Sequence, residues 1–385
     1  MNKNRLFLLA LLLGASSLFA QQATPIQIGS VHSIYSEILK EERRYSLSLP
    51  SSYEGDPFYQ DKAYPVLIVL DGERLFQQTT TVVHALSQGS IERIPEMIVV
   101  GVHNTDRNRD MLPTLRGEVN ASEAAFLSFL EQELLPHIRN TYRTLDCHVL
   151  VGHSYAGLFT VNTFLKNSQF QAFLAIDPSL HWDGAVIVNK LKDTSSAVTP
   201  ASLYLAQANN PFNPGATRGA KAQAVRAFHQ ILDSLSIVAG IHHRLDFFEK
   251  EDHFSIPLIS LYEGLGFLFE DFQFPLDRLL TTSSEDLRAH YDALGEKLGG
   301  NVLVPGRLFQ QVAFFLLQEG KAEQAAHLFS FNQEHFPQSY QPLEGLGQAY
   351  VALNQPGKAK YTFQQVLTLH PESEVANRFL EEYDP

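Results

Sequence analysis

The sequence contains little cysteine and few basic residues. Cys147 is the only cysteine among 385 residues, so the chain can form neither an internal disulfide nor a cysteine-based zinc site. Lysine and arginine together number 29 against 42 aspartates and glutamates, which gives a formal net charge of −13. Because this acidic balance comes without a basic cluster, it argues against binding to nucleic acid or to anionic membrane surfaces.

Apolar residues, in contrast, are abundant. Hydrophobic residues make up 44% of the chain and charged residues only 18%, which excludes a mainly disordered protein and predicts a large buried core. At roughly 100–200 residues per domain, the length predicts two or three domains.

The first twenty residues have the layout of a secretory signal peptide. Lys3 and Arg5 precede an unbroken apolar run at 6–13, and small residues lead to Ala20, after which we expect cleavage. The apolar run is too short to span a bilayer. A lipoprotein anchor needs a cysteine at the cleavage site, and the sequence has none near Ala20. We therefore expect export to the periplasm or the cell exterior without membrane insertion. The alternative is an uncleaved N-terminal anchor.

Residues 25–272 alternate between short apolar runs and helical stretches. Continuous apolar runs of this length are typical of parallel strands covered on both faces. Six are predicted as strands, at 64–70, 97–102, 148–152, 173–176, 203–206 and 245–248. The clearest helix is predicted over 123–142, where an apolar stripe recurs at helical spacing. This alternation predicts an α/β fold with a doubly wound, mostly parallel sheet.

After a linker or helix at 273–300, residues 301–385 contain a helical repeat. A shift of 34 residues aligns Ala325 with Ala359 and Phe329 with Phe363, and it also aligns two prolines. This period and pattern resemble the tetratricopeptide (TPR) repeat, a pair of helices. We expect a small all-α, TPR-like domain that could bind a protein partner. The alternative is a set of ordinary helical hairpins.

One serine lies in a motif with catalytic meaning. Gly152-x-Ser154-x-Ala156 follows a predicted strand and precedes an apolar helical stretch. A G-x-S-x-G motif in this context is the nucleophile elbow of α/β-hydrolases, in which the residues two before and two after the serine must be small. Ala156 replaces the second glycine, and alanine is the next smallest residue. The alternative is a serine that only caps a helix.

A serine hydroxyl needs a base, and in this fold the chain order is serine, acid, histidine. His253 follows the last predicted strand and is the expected base. His242 and His243 precede that strand, at the wrong end of the sheet, and are expected to be exposed to solvent. His153 is expected to be a packing residue.

The acid is less determined by the sequence. The loop after the predicted strand at 203–206 carries Asn209 and no carboxylate. Asp177, at the end of the preceding strand, is the first candidate to orient the imidazole. Glu251 and Asp252 are the next candidates, and a serine–histidine dyad is also possible.

An acyl-transfer site also needs donors for the oxyanion. The backbone N–H of Tyr155 is one candidate, and the N–H of Gly72 or Glu73, after an early central strand, is the other.

Three further side chains are candidates for the substrate pocket. Trp182 could line a pocket for an aromatic group, although a lone tryptophan is often core packing. Arg107 and Arg109 could bind an anionic substrate, although such clusters more often form internal ion pairs.

Taken together, these motifs resemble the serine esterase family that includes esterase D and the enterochelin-esterase-like hydrolases. The resemblance runs from about residue 35 to 269. It is carried by residues 64–67 with 71–72, 94–102, 107–110 with Pro113, 152–157, 177–180 with Trp182, and 251–253. It implies an α/β-hydrolase that cleaves carboxylic esters with Ser154 and His253 and without a cofactor or metal.

The sequence departs from the family pattern at three points. Ala156 replaces glycine, Asp177 stands where many relatives have serine, and Asn209 stands where many have an acid. The helical C-terminal region is an addition to the family core.

The main hypothesis is therefore an exported serine carboxylester hydrolase. Its expected substrates are siderophore esters or acyl esters of sugars and phenolics. The alternative is a catalytically weak hydrolase-fold protein that acts mainly as a TPR-bearing binding module.

Overall fold

A computed structural model describes residues 26–54, 62–88, 92–193, 201–210, 219–279, 282–300 and 304–383. The predicted signal peptide at 1–20 lies outside the described residues. Within them, none of the helices combines the length and the apolar character that a membrane crossing requires.

An eight-stranded sheet forms the centre of the larger domain. Its strands in chain order are β1 (Ser30–Ser36), β2 (Glu41–Ser48), β3 (Tyr64–Val69), β4 (Ile98–Val102), β7 (Thr144–His153), β8 (Ala172–Ile176), β9 (Ser202–Ala208) and β10 (His242–Phe248). In space the order is β1-β2-β4-β3-β7-β8-β9-β10, and the strands from β4 to β10 run parallel. All six predicted strands are confirmed, and with them the α/β-hydrolase fold.

The sequence analysis missed the two antiparallel strands at one edge. β1 pairs with β2, and β2 pairs antiparallel with β4. Both strands are only partly buried, and β2 begins with four consecutive charged residues, 41–44. They therefore lack the continuous apolar run that identified the buried parallel strands.

Helices cover both faces of this sheet. In chain order they are α1 (Gly72–Ser87), α2 (Arg107–Met111), α3 (Ala121–Phe129), α4 (Leu135–Thr141), α5 (Tyr155–Phe164), α6 (Trp182–Asp193), α7 (Ala220–Ala239) and α8 (Ile256–Leu268). A small hairpin of β5 (Thr114–Leu115) and β6 (Glu118–Val119) precedes α3.

The helix predicted over 123–142 contains an irregular centre. A π-helical segment, Leu130–Leu134, joins α3 to α4. Pro136 lies at the start of α4 and cannot donate a backbone hydrogen bond to the preceding turn, so a widened turn is favoured immediately before it. The predicted apolar stripe is nevertheless buried throughout.

The C-terminal region is entirely helical, as expected. It comprises α9 (Leu276–Leu279), α10 (Ser284–Lys297), α11 (Gly306–Gln318), α12 (Ala322–His335), α13 (Tyr340–Ala352), α14 (Pro356–Leu369) and α15 (Glu374–Tyr383). Gly347 of α13 lies so close to Phe363 of α14 that a Cβ there would be 2.6 Å from the ring. The small residue and the aromatic residue thus pack as the repeat pattern predicts. The TPR assignment itself stays a prediction, as do the predicted domain boundaries.

The helical region and the hydrolase domain share one hydrophobic core. Buried residues of β3, α1 and α8 belong to the same apolar cluster as buried residues of α10 to α13. A second cluster fills the opposite face of the sheet, beneath α3 to α7. The C-terminal helices are therefore packed against the face of the sheet that carries α1 and α8.

Candidate active site

Ser154 occupies a strained turn between β7 and α5. Its backbone angles are φ 63° and ψ −113°, a region that non-glycine residues rarely adopt and that costs about 1–3 kcal/mol. A Cβ on Gly152 would collide with the backbone carbonyl of Ala156, so glycine is required there. Ala156 is fully buried but fits, which explains why the elbow tolerates alanine at this position. The geometry is that of a nucleophile elbow.

A line of hydrogen bonds joins the serine to a histidine and an aspartate. The Nε2 atom of His253 lies 3.1 Å from the Oγ atom of Ser154. Its Nδ1 atom lies 2.5 Å from Oδ2 of Asp177. His253 follows β10 and Asp177 follows β8, so the parallel sheet brings both residues to the edge where Ser154 ends β7. These three side chains therefore have the arrangement of a catalytic triad.

The Asp177 carboxylate is fully buried and well supplied with donors. Its Oδ1 accepts hydrogen bonds from the Gln207 side chain at 2.9 Å and from the Ala208 N–H at 3.3 Å. Lys221 of α7 donates to Oδ2 at 2.5 Å. Burial alone would raise the pKa of Asp177, but the hydrogen bond from His253 and the charge of Lys221 outweigh it and lower the pKa. The acid is thus held ionised.

The other predicted acids are directed elsewhere. Glu251 accepts a hydrogen bond from the hydroxyl of Ser255 at 2.6 Å, and Asp252 accepts N–H groups of the following turn. Asn209 donates to the carbonyl of Glu249 at 2.9 Å. The loop after β9 therefore fixes the path of the His253 loop and does not supply an acid.

His153 is a packing residue, as expected, but it packs on the candidate base itself. It is fully buried, and its ring centroid lies 4.4 Å from that of His253. Its Nδ1 atom is hydrogen-bonded to Arg74 of α1. Burial, together with the charges of neighbouring basic groups, lowers the pKa of His153 to about 3, so this imidazole is neutral.

The predicted oxyanion donors begin two helices. Tyr155 is the first residue of α5, and Gly72 and Glu73 are the first two of α1, so their N–H groups belong to the turns that no intrahelical bond satisfies. β3 and β7 are adjacent parallel strands, which places both helix N-termini at one edge of the sheet. A Cβ on Gly72 would collide with the backbone of Gly101, so glycine is needed there for packing on β4. The oxyanion assignment stays a prediction.

Three aromatic side chains lie next to the candidate triad. Tyr155 contacts Trp182 edge to face, with ring centroids 5.2 Å apart. Phe254 directly follows His253 and is 76% exposed. Arg107 lies over the Tyr155 ring, with its guanidinium carbon 5.3 Å from the centroid, and forms a two-pronged ion pair with Asp71 at 2.7 and 2.8 Å. The predicted pocket residues Trp182 and Arg107 thus both contact the ring of Tyr155, the residue that follows Ser154.

Arg109, the third predicted pocket residue, has a structural explanation. Its guanidinium binds Glu41 at 2.6 Å and Asp110 at 2.7 Å. Asp110 is fully buried and also pairs with buried Arg43. This network ties α2 to β2, which is the ion-pair alternative that the sequence left open.

The remaining histidines need one correction. His242 and His243 are part of β10 and lie at the end of the strand away from the candidate triad, as expected. His242 keeps 42% of its side chain exposed, but the side chain of His243 is only 7% exposed, so the expectation of a solvent-facing His243 was wrong. Adjacent residues of a strand face opposite sides of the sheet, and His243 faces α7.

The sequence analysis did not single out Lys221, Arg74 or Phe254. Lys221 is 44 residues from Asp177 in the chain, and no motif surrounds it. Only the position after a catalytic histidine could have drawn attention to Phe254.

Comparisons with known proteins agree with this geometry. Residues 36–214 match the family model described as Putative esterase. Ferri-bacillibactin esterase BesA of Bacillus subtilis is 24% identical over 284 residues, which cover 66% of this chain and 92% of the relative. The siderophore triacetylfusarinine C esterase of Aspergillus fumigatus is 25% identical over 242 residues, which cover 54% of this chain and 83% of the relative.

Solved structures extend the comparison. An IroE-like serine hydrolase from Shewanella oneidensis is 29% identical, with a TM-score of 0.68 over 80% of this chain and 99% of the other. The chain is a serine hydrolase of the carboxylic ester hydrolase class. An uncharacterised protein from Capnocytophaga ochracea is 17% identical and covers 92% of this esterase with a TM-score of 0.66, a likeness of fold alone.

Proposed function

We propose that this esterase hydrolyses siderophore esters through an acyl-enzyme on Ser154. The observation that carries the catalytic assignment is the hydrogen-bonded line from Asp177 through His253 to Ser154. A chain that had lost its acid would not keep a buried, ionised carboxylate on the histidine. This arrangement speaks against the alternative of a weak hydrolase that serves only as a binding module.

The geometry supports an ordinary two-step acyl transfer. His253 takes the proton of Ser154 as Oγ attacks the ester carbonyl, and the imidazolium is stabilised by Asp177. Collapse of the tetrahedral intermediate breaks the ester C–O bond, and His253 gives its proton to the leaving alcohol. Water, deprotonated by His253, then attacks the acyl carbon and releases the carboxylic acid and free Ser154.

The oxyanion of each intermediate needs fixed donors. We assign the N–H of Tyr155 and an N–H of the Gly72–Glu73 turn to this role. These groups belong to the N-termini of α5 and α1, where backbone donors point outwards and the helix dipole favours negative charge.

The substrate class rests on the relatives and on the side chains around Ser154. One relative is named as a ferri-bacillibactin esterase and another as a siderophore esterase. Tyr155, Trp182 and Phe254 offer aromatic surface, and Arg107 places a positive charge over one of these rings. A siderophore with planar aromatic chelating groups matches this surface better than a simple aliphatic ester does.

The test compares three esters with the protein and its Ser154→Ala variant. The substrates are a catecholate trilactone, the hydroxamate triester triacetylfusarinine C, and methyl ferulate, with products identified by mass spectrometry. We expect one of the two siderophore esters to be cleaved with the highest kcat/KM, and Ser154→Ala to abolish cleavage. If methyl ferulate is preferred, the siderophore proposal is wrong while the esterase assignment stands. The activated ester p-nitrophenyl butyrate is measured alongside these three substrates. If its cleavage survives in Ser154→Ala, the catalytic assignment is wrong.

Two further proposals concern location and partners. We propose that residues 1–20 direct export and are removed, because they have the three-part layout of a signal peptide. N-terminal sequencing of protein from the periplasm and culture medium tests this. We also propose that α11 to α14 are two TPR-like units able to bind a protein partner, supported by the 34-residue period and the Gly347–Phe363 packing.

A further inference from the structure

Two histidines and an aspartate meet on the side of the protein formed by α7 and β10. His229 and Asp233 are four residues apart on α7 and therefore share one face of that helix. His243 reaches the same place from β10. One ligand atom from each of the three side chains lies within 4.8 Å of the others.

The spacing of these atoms fits a shared cation better than direct hydrogen bonds. Nδ1 of His229 lies 3.3 Å from Oδ2 of Asp233, and Nε2 of His243 lies 3.6 Å from Oδ1. An N–H···O hydrogen bond is usually about 2.7–3.2 Å long. Tetrahedral zinc with bonds of about 2.0–2.2 Å separates its ligand atoms by roughly 3.3–3.6 Å. The two measured distances are of this size, and they reach the two different oxygens of the Asp233 carboxylate.

The environment of His243 points the same way. Its side chain is 7% exposed, and its Nε2 atom is the ring nitrogen that faces Asp233. An imidazole nitrogen facing a carboxylate is a ready pair of metal ligands.

We propose that His229, Asp233 and His243 bind a zinc ion, with water at the fourth position. Two imidazole nitrogens and a carboxylate form a ligand set that zinc commonly takes. Asp233 is 56% exposed, so the ion can enter from solvent. The sequence analysis excluded only a cysteine-based zinc site. The three proposed ligands come from a helix and a later strand, so they form no local sequence motif.

The ion would have a structural role, linking α7 to β10, and would not contact the substrate. The cluster lies at the start of β10, and His253 follows the other end of that strand. α7 carries Lys221, which contacts Asp177. A zinc ion would therefore fix the relative position of the two elements that bring Lys221 and the His253 loop to the candidate triad.

Zinc titration of the purified, chelator-treated protein by calorimetry tests the proposal. The variants are His229→Gln and Asp233→Asn, both at partly or fully exposed positions, with His243→Gln as the buried member. His242→Gln is the matched control, because it is the neighbouring histidine on the opposite face of β10 and pairs with Glu270. Ester hydrolysis by each variant verifies that it is folded.

We expect one zinc ion per chain and a melting temperature that rises with zinc concentration. Each of the three ligand variants should weaken zinc binding by about 100-fold or more, beyond the roughly 10- to 100-fold cost of losing a supporting group, whereas His242→Gln should retain it. Cobalt bound in place of zinc should show the intense visible bands of tetrahedral coordination.

Three results would overturn the proposal. These are no saturable zinc binding, equal affinity in His229→Gln and His242→Gln, or a cobalt spectrum typical of an octahedral, water-rich site. Each would leave the esterase assignment intact, because Ser154-dependent hydrolysis is measured separately.

Discussion

Replacing Asp177 by asparagine should separate the catalytic role of the buried acid from its structural role. The side chain keeps its size and can still meet Gln207, but it loses the charge that faces His253 and Lys221. The amide can also present an NH₂ group to Nδ1 of His253, which favours the unproductive tautomer. The change should therefore reduce both rate and stability.

The two losses have different sizes. An acid-to-amide change in a serine triad lowers kcat by about 10³–10⁴, or about 4–5.5 kcal/mol at 1.36 kcal/mol per tenfold. Removing one partner of a buried ion pair costs about 3–5 kcal/mol of folding stability. Lys221 keeps 19% of its side chain exposed, so the lower end of that range applies, about 3 kcal/mol.

A double variant distinguishes the two effects. Lys221→Met removes the unpaired ammonium, so Asp177→Asn/Lys221→Met should regain most of the lost stability in urea unfolding. It should not regain kcat for p-nitrophenyl butyrate, because the histidine still lacks its acid. Glu251→Gln is the matched carboxylate control and should change kcat less than about threefold.

The reasoning is refuted if Asp177→Asn keeps kcat within tenfold of the parent. It is also refuted if the double variant recovers the rate, because the loss would then come from the unpaired lysine. A collapse of the rate in Glu251→Gln would move the acid to the His253 loop.

Three further variants test the elbow, the buried histidine and the helical region. Gly152→Ala should abolish Ser154-dependent hydrolysis, because its Cβ would collide with α5, and p-nitrophenyl butyrate turnover checks this. In the folded protein the pKa of His153 is lowered from 6.5 to about 3, so between pH 6.5 and pH 3 only the unfolded state protonates this imidazole. The free energy of unfolding should therefore fall as the pH drops from 6.5, by up to roughly 5 kcal/mol near pH 3. Urea midpoints of His153→Gln should show a flatter dependence in that window. Gly347→Ala should lower stability by about 1–3 kcal/mol through contact with the Phe363 ring, whereas Gly357→Ala, with open space around it, should not.

The parallel part of the sheet could be predicted from the sequence, because strands that are buried on both faces consist of continuous apolar runs. Val66 to Val69 of β3 and Ile98 to Val102 of β4 are apolar and buried. β1 and β2 contain no such run, because one side of each strand is exposed to solvent, and in β2 the exposed side chains are charged. The π-helical widening at Leu130–Leu134 was also missed, since the apolar stripe continues through it unchanged.

The candidate site was predictable where a residue follows a recognisable strand. Ser154, Asp177 and His253 each end a strand or begin the loop after it, so a parallel sheet brings them to one edge. Lys221 and Arg74 reach the site from helices, and their contacts depend on how α7 and α1 pack. Such contacts depend on tertiary structure, and one sequence without that structure contains no local sign of them.

The position of the acid follows from the sheet order. β8 lies between β7 and β9, and its register pairs Ile176 with His153 on one side and Ala206 on the other. The next residue, Asp177, therefore lies beside Ser154 and close to the end of β9. In this chain the end of β9 supplies Gln207 and the Ala208 N–H as donors to the Asp177 carboxylate. β9 thus contributes hydrogen-bond donors to the Asp177 carboxylate, while Asn209, in the loop after β9, binds the carbonyl of Glu249 instead.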